Sequence, residues 1–160
     1  MTPRTLTFRL APGITQSTGR SIGFLEGVDE LDAGEVFDEL PEKVEMTVRS
    51  RMEHWISGNN QPGAWFHGFP NDPDHKECFV FKWNEKRQGN RFYGFVCNPW
   101  PETNPRFQLC VLNLHATKNE FETDLAELNR VNDWRTSFGA RQAIGYTYPE
   151  YRKVRHQWKN

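Results

Sequence analysis

His115 and Lys118 stand three residues apart, where the apolar run "LCVLNL" gives way to "HATKNE". An imidazole titrates close to neutral pH and can move protons. An ammonium where a strand runs into a helix can hold an anion beside free backbone N–H groups. Together they suit acid–base chemistry on a phosphate. The structural alternative is a hydrogen-bonded histidine at the core edge, since His115 alternates with Asn113 and Val111, and a helix cap from Glu122, three residues beyond Asn119. His67 and His75 lie in the proline- and glycine-rich stretch "QPGAWFHGFPNDPDHKE" and could touch a substrate, but without a third ligand they make a poor metal site. Cys78, Cys97 and Cys110 are far apart, with no C-x-x-C pair, and read as reduced core thiols.

Positioning these groups falls to a short series of elements. "RTLTFRL" alternates polar and apolar residues and predicts a first strand with Leu6, Phe8 and Leu10 on one face; residues 11–33 read as a connection or extension. Phe37 and Leu40 lead into Pro41, after which Val44, Val48, Met52 and Trp55 recur at helical spacing. This predicts two helices broken at Leu40–Pro41 and stopped at "SGNN". A loop follows, then the strands "CFVFKW", "RFYGFVC" and "RFQLCVLNLHA". Gln88-Gly89-Asn90 suits the first hairpin turn, and the prolines of "NPWPETNP" argue against a continuing strand there. An acidic helix with Phe121, Leu125, Leu128 and Val131 on one face should run to about Phe138 and stop at "FGA". The expectation is one α+β domain over residues 1–160: a strand and extension to residue 33, a core from 34 to 140, and a basic aromatic tail from 141 to 160. Its helices should lie on one face of a mainly antiparallel sheet.

The formal net charge of −1 gives no global attraction to nucleic acid, but the charge is unevenly divided. Residues 76–118 carry seven cations against three carboxylates, and residues from Arg141 onward five against one. The stretch from Asn119 to Ala140 has two cations against five carboxylates, and the first 60 residues six against ten. A basic sheet and tail would steer a phosphate backbone; the bland explanation is helices solvated by glutamate. The N-terminal stretch is too short and polar for a signal peptide and no run reaches membrane-spanning length, which leads to the expectation of a cytoplasmic protein with no membrane partner.

Taken together, "FDELPEKVEMTVRSRMEHWISGN", "CFVFKWNEKRQGNRFYGFV" and "VLNLHATKNEFETDLAELNRVNDWRTSFG" resemble the helix pair, central hairpin, and last strand with lysine-bearing loop and closing helix of the RelE superfamily. The likeness is nearest to HigB toxins and their phage-derived relatives and covers about Glu35 to Ala140. It implies a RelE-like fold and an mRNA endoribonuclease in which the RNA's own 2′-hydroxyl attacks the adjacent phosphorus. It implies mRNA and the ribosome as partners, neutralisation by a cognate antitoxin protein, and side-chain catalysis without a metal or other cofactor. Matched position by position, Lys82, Arg91, Lys118 and His115 become catalytic candidates, with Lys118 on the crowded phosphate and His115 moving a proton. Tyr93 stands near the position of a family arginine and departs from it. Lys86, Arg87, Arg106, Arg152, Lys153 and Arg155 are the further cations that would contact RNA. The loop "KNEFETD" holds one lysine followed by acids, where the family commonly has two or three more lysines. That departure favours a second reading, a non-catalytic member that binds RNA, ribosome or protein through the same sheet.

Overall fold

Six strands form one sheet in the order β1-β2-β6-β5-β4-β3 in the computed structural model, which describes residues 5–27, 32–58, 63–100, 106–119, 123–149 and 151. The strands are β1 (Thr7–Leu10), β2 (Arg20–Glu26), β3 (Phe66–Gly68), β4 (Cys78–Glu85), β5 (Gln88–Trp100) and β6 (Phe107–Lys118). The helices are α1 (Ala33–Asp38), α2 (Glu42–Ile56), α3 (Leu125–Arg135) and α4 (Phe138–Thr147). Every pairing is antiparallel except β2 with β6. The expected α+β class and mainly antiparallel sheet are therefore present.

The helices cover both faces of the sheet, contrary to the one-face expectation. Alternation along the strands explains this, because both sets of side chains are apolar. Ile22, Phe24, Phe81, Trp83, Phe92, Cys110 and Leu112 pack against Phe37, Val48, Met52 and Trp55 of α1 and α2. Leu25, Val80, Tyr93, Phe95, Leu109 and Val111 pack against Leu128, Val131, Ala140 and Ile144 of α3 and α4. The α1/α2 face holds the helix pair as the periodicity predicts, with the break at Glu39–Pro41.

Other boundaries differ from the expectation for identifiable reasons. Residues 20–26 form a central strand, because "SIGFL" is buried on both faces and so shows no polar–apolar alternation. Strand β3 takes three residues from the stretch read as loop, pairing Phe66 with Phe81. The β4–β5 turn is Lys86–Arg87, closed by Glu85 opposite Gln88, with both turn residues at positive φ (50° and 67°). That is a two-residue type I′ turn, while Gly89 and Asn90 belong to β5. Strand β5 also runs through Pro99, which a register shift between Cys97 and Trp100 accommodates. The acidic helix stops at Arg135, and "FGA" opens α4, whose Ser137 side chain accepts from the Ala140 N–H. On α3, Leu128 and Val131 are buried while Leu125 is exposed; Phe121 and the proposed Glu122 cap lie outside the described residues.

A second register shift, between Tyr93 and Gly94, matters most for function. Tyr93 faces Leu114 and Gly94 faces Leu112, leaving Asn113 as the extra residue of a bulge. The bulge reverses which side chains of β6 face which layer beyond it. Gly94 permits the close approach: a Cβ there would lie 1.9 Å from the Val111 carbonyl oxygen.

Candidate functional site

His115 and Lys118 are not brought together. Beyond the bulge, His115 turns to the α1/α2 face, where its ring lies 5.9 Å from the rings of both Trp83 and Phe92. Its Nε2 donates to Asn90 Oδ1 at 2.9 Å, an orientation fixed because Asn90 Nδ2 donates to the Gln88 carbonyl at 3.2 Å. Burial pushes the imidazole pKa down. Lys118 turns to the other face, pairs with Glu127 of α3, and donates to the Thr123 carbonyl at 3.1 Å. Its side chain is 10% exposed, so this ammonium staples the start of α3 to the end of β6.

A different group of the candidates does converge. Lys82 and Arg91 are directly opposite one another across β4 and β5, and Tyr93 sits two residues along from Arg91 on the same face. Arg91 Nη1 lies 3.4 Å from the Tyr93 hydroxyl, and both groups bond to one carboxylate oxygen of Asp124. Asp124 occupies the N-cap of α3, yet its side chain makes no capping bond and is committed to Arg91 and Tyr93. Burial and the bond to Asp124 hold the Tyr93 phenol well above its ordinary pKa, so it stays a neutral donor. The Lys82 ammonium has no hydrogen bond or ion pair among the described residues. Burial, then the charge of Arg91, lowers its pKa.

The remaining cations divide by position. Lys86 and Arg87 are exposed at the hairpin tip, roughly 13 Å from Arg91 at about 3.3 Å per strand residue. Arg106 is exposed at the far end of β6, eleven register positions from the Lys118 end, or about 35 Å. Arg152, Lys153 and Arg155 lie outside the described residues. Of the tail, Tyr148 packs on Trp100, Phe107 and Phe8 and Tyr151 is fully buried, while Tyr146 is exposed.

Sequence reasoning missed Asp124 and Glu127 as counter-ions. Both were counted in an acidic, solvated helix, and only their proximity to Arg91 and Lys118 gives them a role. Among the described residues, no group of three or more His, Cys, Asp or Glu side chains could hold a metal ion. The three cysteines are buried free thiols, with burial pushing Cys78 and Cys97 up to about 12. No helix among the described residues is long and apolar enough to cross a membrane. The chain matches no family model, no curated protein and no solved structure.

Proposed function

We propose that the chain is a RelE/HigB-type endoribonuclease whose anion site is the Lys82–Arg91–Tyr93 patch. The observation that carries this reading is Lys82, a half-buried ammonium with no direct hydrogen bond or ion pair among the described residues, opposite the half-buried Arg91 guanidinium. With the one Asp124 carboxylate already bonded to Arg91, Lys82 and Arg91 leave the patch one positive charge in excess, which a further anion would balance. A phosphodiester supplies that anion, and its charge increases as the 2′-hydroxyl attacks. Fixed cations aimed at developing charge are the usual source of such rate enhancement. The order of elements also supports the reading: a helix pair, the β4–β5 hairpin, a last strand and the helix α3 follow one another as the resemblance implies, with β1, β2, β3 and α4 in addition.

In this scheme Arg91 and Lys82 bind the phosphate. Tyr93 and Asp124 hold the guanidinium in place, and Asp124 is the carboxylate an incoming phosphate must compete with. Lys86 and Arg87 extend the basic surface along the hairpin. Their left-handed backbone would come more easily to Asn-Gly, so two cations at this turn fit a contact surface. An antitoxin would act by covering this face.

The second reading, a non-catalytic binding module, draws on the closed state of Lys118 and Arg91, both already paired with carboxylates of the α3 segment. Expression in growing bacteria, with primer extension across an abundant message, separates the two. Growth arrest and new cleavage ends with the parent, both lost with Lys82→Ala, support the enzyme. An intact message with bound ribosomes supports the module.

A further inference from the structure

Edge strand β3 carries a histidine that the resemblance does not assign. His67 lies opposite Val80, and Val80 lies opposite Tyr93, so one row across the sheet is His67, Val80, Tyr93. The next row on that face is Lys82 and Arg91. His67 and Lys82 are therefore diagonal neighbours, about 7–8 Å apart at the backbone and within reach through their side chains. His67 Nδ1 lies 2.7 Å from the Gly68 carbonyl oxygen. A carbonyl only accepts, so Nδ1 holds the proton and Nε2 holds the lone pair. Among the described residues Nε2 has no partner, and the ring is braced by Phe69 at 4.9 Å in an edge-on contact.

We infer that His67 is the proton acceptor of this site, with an RNA 2′-hydroxyl as its donor. The inference rests on the endoribonuclease reading. The 2′-hydroxyl proton passes to Nε2 as the O2′–P bond forms. The P–O5′ bond breaks, and the departing oxygen takes a proton from the Lys82 ammonium. The products are a 2′,3′-cyclic phosphate and a 5′-hydroxyl, after which His67 releases a proton to solvent and Lys82 takes one up. The groups facing His67 are Lys82 from β4, Arg91 and Tyr93 from β5, and Asp124 ahead of α3. Burial, with Lys82 and Arg91, keeps the imidazole neutral at neutral pH against the opposing pull of the Gly68 carbonyl and Asp124.

The test is the single-turnover rate of 5′-hydroxyl end formation on message in ribosome complexes, for the parent and His67→Gln, between pH 5 and 8. The parent rate should fall on the acid side as His67 protonates, below the ordinary histidine value of 6.5. His67→Gln should lose roughly a hundred- to ten-thousandfold at pH 7 and lose that acid limb, with RNA affinity and thermal midpoint kept. A His67→Gln protein that cleaves at the parent rate with the acid limb intact overturns the assignment and leaves the endoribonuclease reading standing. A parent that does not cleave removes both. Should His67→Gln unfold early, His67→Asn takes its place, and cleavage by that variant at the parent rate overturns the assignment in the same way.

Discussion

Replacing Gly94 with alanine probes the bulge that decides which residues of β6 share a face with Arg91. The added Cβ would meet the Val111 carbonyl oxygen at 1.9 Å, with the Val111 carbonyl carbon and Leu112 Cα both at 2.7 Å. All three are backbone atoms, so no rotamer change relieves the contact. The β5–β6 ladder must open by about an ångström or the bulge must re-register. Overpacking costs roughly 1–3 kcal/mol and more where neighbours cannot move, which puts this site near ~3 kcal/mol. For a chain of this size each kcal/mol lowers the midpoint by about 2–4 °C, so thermal unfolding should begin roughly 6–12 °C earlier. The six tryptophans supply the fluorescence signal. A midpoint within about 2 °C of the parent would refute the close approach of β5 and β6 and, with it, the placement of His115 on the face away from Arg91.

Three further outcomes follow from the packing and charges. Trp55 is 4% exposed, lies 5.7 Å from the Phe79 ring and under the Arg20 guanidinium; Trp55→Ala should cost about 3–5 kcal/mol in urea unfolding, and an unchanged midpoint would remove α2 from the core. Asp124→Asn removes the carboxylate that competes with phosphate at Arg91, so RNA affinity should rise about tenfold in filter binding, whereas a fall would make Asp124 part of the binding surface. Buried His75 bonds Asp72 Oδ2 at 2.7 Å and Asn129 Oδ1 at 2.8 Å; burial lowers its pKa, but the bonds to Asn129 and Asp72 outweigh this and raise it above 6.5. A raised folded-state value means its stabilisation is complete below about pH 6.5 and lost as pH rises through that value, so the stability gap between parent and His75→Gln should narrow toward alkaline pH; a gap that widens would show the neutral ring to be the native form.

The helix pair was legible because Val44, Val48, Met52 and Trp55 keep a helical period that only one buried face can satisfy. Strands β4 to β6 were legible from their aromatic and branched residues. Strand β2 was not, because burial on both faces erases alternation and its flanking glycines and serines mimic a loop. Pro99 misled because a bulge excuses the missing N–H. In the site, Lys82, Arg91 and Tyr93 could be placed on one face by strand period alone once the hairpin register was known. The separation of His115 from Lys118 could not be read from a last strand that ends at Ala116: β6 runs on through Lys118, residues three apart in a strand point to opposite faces, and the bulge at Asn113 decides which face each takes. Asp124 was equally hidden: a short acidic stretch reads as solvated until the chain folds it back onto Arg91.

The most direct measurement is end-group analysis of message incubated with translating ribosomes and the purified full chain, for the parent, Lys82→Ala and Arg91→Gln. The account predicts 5′-hydroxyl and 2′,3′-cyclic phosphate ends with the parent. It predicts at least a hundredfold fewer with either variant, at unchanged fold, as expected for a lost group that stabilises phosphate charge. Cleavage by both variants at the parent rate, or 5′-phosphate ends from the parent, would contradict it.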